Sequence, residues 1–217
     1  CQGVIGGSAL PGTPCDDGNA CTVNDVYTGT APNCGCAGTP VAAPVINSFG
    51  SNSPICAGST LNLNASATGT GTITYSWTGP NGFNVSGQNP SIPNATTAAS
   101  GNYTVTASNG CGTDSETFSV TVTAAPSAGT LSGNQSICVG GSTTFSSTVG
   151  GGSWSSGNTA VATIDPSTGA ISGLTAGTAT MTYTVTGTGG CSNATATRTV
   201  TVTAAPSAGT LSGNQSI

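Results

Sequence analysis

Short stretches of the chain alternate between apolar residues and small polar ones. Thr60-Leu61-Asn62-Leu63 alternates, as do Ile73-Thr74-Tyr75-Ser76-Trp77, Asn102-Tyr103-Thr104-Val105-Thr106 and Thr117-Phe118-Ser119-Val120-Thr121-Val122. A period of two sends one set of side chains to a buried face and the other to water, the mark of a half-buried strand. The pattern returns at residues 161–164, 170–174 and 176–183. Gly79-Pro80-Asn81-Gly82 and Asp165-Pro166-Ser167-Thr168-Gly169 supply turns. Nothing carries the apolar stripe of a long amphipathic helix. Many short strands with turns at this spacing predict an all-β protein built of sandwiches.

A tandem repeat organises the strands. Residues 120–137, VTVTAAPSAGTLSGNQSI, return letter for letter at 200–217, a period of 80 residues. A second correspondence links Asn52-Ser53-Pro54-Ile55-Cys56 to Asn134-Gln135-Ser136-Ile137-Cys138 and continues to Thr60 and Thr143 with one glycine inserted. Two sandwiches of common topology are expected, at residues 41–123 and 124–203, after a cysteine-rich module at 1–40. Residues 204–217 form a connector strand, the opening of a further repeat or a strand donated to the next subunit. Leu211 and Ile217 are its apolar anchors. A lone strand has an open edge and unpaired backbone groups, a template for pairing with another chain. Docking on the next subunit is the favoured completion and gives head-to-tail growth into a filament.

Trp77 falls where an Ig-like third strand carries its core tryptophan, and Ser100-Gly101-Asn102-Tyr103 has the form of a tyrosine corner. Both aromatics read as core. The chain has nine cysteines, which points to an oxidising, extracellular or cell-surface setting. Cys56 and Cys111 are 55 residues apart, Cys138 and Cys191 are 53 apart, and the matched spacings predict a bond within each pair. Cys15, Cys21, Cys34 and Cys36, with Cys1, hold the first module, whose core is too small to stand alone. Their pairing is not fixed by spacing.

Asp16, Asp17 and Asp25 are half of the chain's six acids, and Asn19 and Asn24 add amide oxygens beside them. Hard cations take six to eight oxygens, so calcium is the ion this set suits. A network of Asx turns accounts for the same residues without an ion, and the EF-hand spacing is absent. Zinc on the cysteines fits poorly with an oxidising compartment.

Charged residues are only 3% of the chain, with Arg198 the one basic residue and no histidine; the net charge is −5. Nucleic-acid binding needs clustered Lys and Arg, so no nucleic-acid partner is expected. No apolar run approaches the length of a membrane span. Solubility must come from something other than charge. Seven Asn-x-Ser/Thr sequons stand at Asn64, Asn84, Asn94, Asn102, Asn134, Asn193 and Asn214. They make glycans a candidate coat, although Ser- and Thr-rich sequence also generates sequons by accident. Catalysis lacks candidates. Asp114 and Glu116 stand two apart on one strand and read as a solvated edge face, Asp165 belongs to a turn, and Arg198 has no assigned partner. The chain is not expected to be an enzyme.

The phrase WSSGNTAVATIDPSTGAISGLTAGTATMTYTV, residues 154–185, resembles a group-2 bacterial Ig-like domain of the kind stacked in intimin- and invasin-type adhesins. YSWTGPNGF, NPSIPNATTAASGNYTVT and SNGC resemble Ig-like or PKD-like repeats in large secreted proteins of Bacteroidota. CDDGNACTVNDVYT is similar to small cysteine-rich modules in proteins of the same kind. The resemblance implies tandem Ig-like β-sandwiches in a modular surface protein and transfers no catalytic residue. A structural subunit of an extracellular fibre is the expected function, with copies of the chain as partners. The alternative is the stalk or binding module of an adhesin with a carbohydrate or cell-surface ligand. The few aromatics, placed in the core, favour the structural role.

Overall fold

The computed structural model describes residues 12, 14–28, 35–207, 209 and 213. Cys1, Cys34, Leu211, Asn214 and Ile217 lie outside the described residues. Strands and short turns make up the chain, with no α-helix among the described residues. It divides into two compact units, Cys1–Thr123 and Ala124–Ile217.

The first unit opens with an antiparallel hairpin of Thr22–Thr28 and Gly35–Pro40. A sandwich follows. One sheet runs in the order Thr113–Val120, Gly101–Ser108, Thr74–Thr78, Asn84–Ser86; the other runs Val45–Ser51, Leu61–Thr68, Ser91–Ile92. Alternation decides what is buried: Leu61, Leu63 and Ala65 point inward from one strand, and Tyr103, Val105 and Ala107 from another. Trp77 is fully buried, meets Phe118 edge-on at 6.2 Å and donates its indole N–H to the Gly87 carbonyl. The Tyr103 hydroxyl donates to the Ala99 carbonyl at 3.0 Å, the bond a tyrosine corner requires. Val45–Ser51 escapes a reading by alternation because its register shifts between Ile46 and Ser48.

The second unit repeats the plan. Its larger sheet runs Ser136–Cys138, Ala194–Thr203, Gly177–Val185, Ser153–Ser156, and its smaller one Ser142–Thr144, Ala170–Gly173, Ala162–Ile164. Phe145, Ile171, Met181, Val200 and Val202 fill the centre. Trp154 packs on Tyr183, with ring centroids 4.8 Å apart.

Both sandwiches carry, early in the chain, a short lead-in strand that lies parallel to their own last strand. Ile55–Cys56 pairs with Val122–Thr123, and Ser136–Cys138 pairs with Thr201, Val202 and Thr203. The correspondence reaches further upstream than the cysteines suggest. Ala42-Ala43-Pro44 recurs as Ala124-Ala125-Pro126 and again as Ala204-Ala205-Pro206. In the first two copies the equivalent residues Ile46 and Ala128 are both buried, as are Ile55 and Ile137.

Two polar residues behave differently from their expected surface roles. Asp114 and Glu116 share the inward face of their strand with Phe118 and Val120 and are half-buried, not solvated. Asp114 accepts from the Ile46 and Ser115 N–H groups, so one carboxylate ties the two sheets of its sandwich together. Arg198 does have partners. Its guanidinium donates to the carbonyls of Leu131 and Gly133 at 3.2 and 2.8 Å and lies 5.4 Å from the centre of the Phe145 ring.

Candidate functional site

The acidic turn forms from local chemistry. The Gly18 N–H donates to Asp16 Oδ1, the Asn19 N–H to Asp17 Oδ1, and the Cys21 N–H to Asn19 Oδ1, three successive Asx turns. Thr22 Oγ1 also donates to Asp17, and the Asp17 N–H donates to Asp25 Oδ2 at 3.2 Å. Asn24 bends the returning strand with a positive φ of 56°. One carboxylate oxygen from each of Asp16, Asp17 and Asp25 lies within 4.8 Å of the others. Asp25 Oδ1 is buried without a hydrogen-bond partner. The turn therefore brings the three acids and Asn19 together. The Asn19 side chain serves the Cys21 N–H, and Asx geometry explains most of the arrangement without an ion.

The disulfides differ from the expected pairs. Cys15 bonds Cys36, and Cys21 bonds Cys111. Cys111 is thus not bonded to Cys56, and Cys138 is an exposed free thiol, so it is not bonded to Cys191. Cys56 and Cys191 are each disulfide-bonded. Geometry explains the correction. Cys56 lies level with Thr123, whereas Cys111 sits in the loop before Thr113. Roughly 30 Å of strand separates those levels at about 3.3 Å per residue, far beyond the span of about 7 Å that a disulfide bridges. Cys138, beside Thr203, and Cys191, in the loop before Ala194, stand at opposite ends of the second sandwich for the same reason. Spacing along the chain was a true repeat signal, but it marked equivalent positions and not partners.

Of the sequon asparagines, Asn64, Asn84, Asn94, Asn102, Asn134 and Asn193 are exposed. Asn134 and Asn193 spend their side-chain oxygens on local backbone N–H groups of Ser136 and Gly187. Asn94 holds a positive φ of 50° at the rim of a groove of about 290 Å³ lined by Phe83, Ile92, Tyr103 and Asn81. Burial beside this groove pushes the Tyr103 hydroxyl above the ordinary tyrosine range. The Asp165 carboxyl is held below its ordinary range by the Thr168 N–H, the Thr168 hydroxyl and the Ser167 N–H, as suits the turn that sequence assigned it.

The lead-in segment is the most elaborated feature of the second sandwich. Ala128 and Ile137 are buried in the core, and Leu131 packs against it. Leu131–Ser132 pairs with Ser146–Ser147, and the Ser147 hydroxyl donates to the Ala128 carbonyl. Gly133 has a φ of 126°, and a Cβ there would stand 2.4 Å from the Thr144 carbonyl oxygen, so the close crossing requires glycine. Arg198 completes the clamp. Sequence alone gave no sign of this clamp, since an arginine on an alternating strand carries no mark of which carbonyls it will meet.

Residues 43–122 match the family model described as the immunoglobulin domain. No curated protein matches the chain. Among solved structures, the amphioxus IgVJ-C2 molecule is similar at 27% identity and a TM-score of 0.36, over 45% of this chain and 57% of its own. The N-terminal eight Ig domains of Down Syndrome Cell Adhesion Molecule are similar at 12% identity and a TM-score of 0.48, over 84% of this chain and 28% of theirs. The C-terminal 282-residue fragment of intimin, in complex with the intimin-binding domain of its translocated receptor, is similar at 14% identity and a TM-score of 0.43, over 73% of this chain and 64% of its own. The chain spans less than two thirds of the length of each of these three. No helix among the described residues is long and apolar enough to cross a membrane. The disulfides are compatible with an extracellular location.

Proposed function

We propose that the protein is a structural subunit of an extracellular, glycosylated fibre in which Ig-like units follow one another head to tail. The observation that carries the reading is the duplicated lead-in. Residues 204–217 have the same sequence as residues 124–137, which in the second sandwich bury Ala128 and Ile137 and engage the last strand. The acceptor for residues 204–217, through Leu211 and Ile217, is a sandwich that takes this segment as its lead-in. It belongs to a neighbouring subunit or to a further unit of the same polypeptide. Such a contact joins two different surfaces and propagates in one direction. Exposed sequons on a surface with few charges support the glycan coat. Asp25 Oδ1, buried and unpaired, supports a calcium ion on Asp16, Asp17, Asn19, Asn24 and Asp25 as a brace for the first module.

Removing residues 204–217 is expected to leave soluble chains that no longer grow, measured by sedimentation and electron microscopy. Fibres of normal length from the shortened chain would sink the reading. A second reading, the stalk or binding module of an adhesin, draws on the groove beside Phe83, where an aromatic edge and the amides of Asn81 and Asn94 suit a carbohydrate. Chemical-shift changes confined to that groove on adding oligosaccharides would favour it.

A further inference from the structure

Each sandwich carries one cysteine at either end. Cys111 is at the inlet of the first sandwich. Its neighbour Asn109 donates from Nδ2 to the carbonyl of Ala42, where the chain arrives from the preceding hairpin. Cys191 is at the inlet of the second, with its sulfur 3.6 Å from the carbonyl of Ala124. Cys56 and Cys138 are at the outlets, level with Thr123 and Thr203. The inlet cysteine of the first sandwich bonds Cys21 of the hairpin module that precedes it, just where Val41 donates its N–H to the Cys21 carbonyl. The outlet cysteine Cys56 is disulfide-bonded, and not to the inlet cysteine of its own sandwich.

Cys138 matches Cys56 in its backbone pairing. It has the same parallel pairing, the same preceding buried isoleucine and the same following hydrogen bond: the Ala57 N–H donates to Thr123, the Val139 N–H to Thr203. Yet it is an exposed thiol, flanked by Val139, which is 39% exposed. We propose that Cys138 forms a disulfide with the inlet hairpin cysteine of another Ig-like unit, one placed as Cys111 and Cys191 are. Both inlet cysteines follow a glycine, in Gly110-Cys111-Gly112 and Gly190-Cys191. The bond forms by exchange with a small oxidised disulfide such as glutathione disulfide. The Cys138 thiolate attacks one sulfur and releases one small thiol. The partner thiolate then displaces the second, so two protein thiols give up two electrons and two protons to the small disulfide.

The inference rests on the head-to-tail reading for the identity of the partner unit, and it deepens that reading into a covalent lock. Cys111 and Cys191 are themselves disulfide-bonded, so the partner is a unit whose inlet thiol is not already bonded, either a further unit of the same polypeptide or one of a neighbouring subunit. The test uses protein isolated from its source without reductant, blocked with N-ethylmaleimide before unfolding, digested and mapped by mass spectrometry. The expected result is Cys138 recovered in a linked peptide whose other half carries a Gly-Cys hairpin. On a non-reducing gel, multiples of the single-chain mass assign the partner to another subunit; an unchanged mass assigns it to the same polypeptide. Cys138 recovered as the maleimide adduct, or capped by glutathione, overturns the proposal. The isolated folded 217-residue chain should bind one maleimide more than its Cys138→Ser variant; equal labelling of the two overturns it as well. Fibres that persist with Cys138 unlinked reject the lock and keep the assembly reading. A linked Cys138 in material whose growth ignores deletion of residues 204–217 does the reverse.

Discussion

Replacing Arg198 by lysine keeps the charge but loses the clamp. The guanidinium bridges two carbonyls, those of Leu131 and Gly133, while lying over Phe145. An ammonium is a point donor and reaches one of them. A hydrogen bond from a charged donor is worth about 1.5–3 kcal/mol net, and the ring contact adds about 1 kcal/mol. Against this, Arg198 Nε is buried without a partner, and lysine removes that cost. The balance for Arg198→Lys is a loss of about 2 kcal/mol, or about 30-fold in the population of the opened strand. Trypsin reads that population directly. Residue 198 is the chain's only tryptic site, and lysine preserves it. Where opening and closing are fast, cleavage tracks the fraction open. Each variant's native cleavage rate, divided by its rate in urea, removes the enzyme's own preference between arginine and lysine. The expected outcome is cleavage about 30-fold faster for Arg198→Lys and a melting midpoint lower by about 10 °C for a unit of this size. Normalised rates within twofold of each other, with equal midpoints, would refute the clamp. Arg198→Met, which keeps packing against Phe145 but donates nothing, is expected to lose at least as much.

Changing both Cys21 and Cys111 to serine opens a loop spanning 90 residues. The chain-entropy cost is about 4.5 kcal/mol, which urea unfolding of the first unit should register nearly in full. Tyr103→Phe removes the hydroxyl bond to Ala99 and is expected to cost about 1 kcal/mol. Because burial raises the Tyr103 pKa, its share of stability is complete below the unfolded tyrosine value of about 10 and is lost as pH rises through the higher folded value. The parent should therefore weaken more steeply than Tyr103→Phe in alkaline urea titrations. Calorimetry on EDTA-stripped protein should show saturable calcium heat that Asp25→Asn abolishes; no heat and an unchanged melting midpoint would leave the Asx turns as the full account of the acidic cluster.

The alternating strands were legible because their periodicity is the burial pattern itself. Tyr103, Val105 and Ala107 face inward as alternation requires, and Trp77 and Tyr103 take the core positions that their neighbours implied. Short strands such as Asn84–Ser86 and Ser91–Ile92 span too few residues to show a period. Asp114 reads as surface because a carboxylate usually is, and only the arrival of the Ile46 N–H makes its half-buried place favourable. The Cys111 partner could not be found by spacing, since a disulfide depends on which ends of two modules meet. The Ala-Ala-Pro phrase at residues 42, 124 and 204 was a readable signal of the lead-in, and it carries more of the architecture than the cysteine intervals do.

The parallel lead-in has a mechanical meaning. The chain arrives at one end of each sandwich and leaves at the other, along two strands that run in the same direction. Tension between inlet and outlet slides Ile55–Cys56 lengthwise against Val122–Thr123, and Ser136–Cys138 against Thr201–Thr203. The bonds from Ile55 N–H to Thr121, from Ala57 N–H to Thr123 and from Val139 N–H to Thr203 are then loaded together in shear, not opened one at a time like a zip. The guanidinium of Arg198 and the sulfur of Cys138 sit on this same seam in the second sandwich, so the bonds that tension loads lie beside the Arg198 clamp and the exposed thiol.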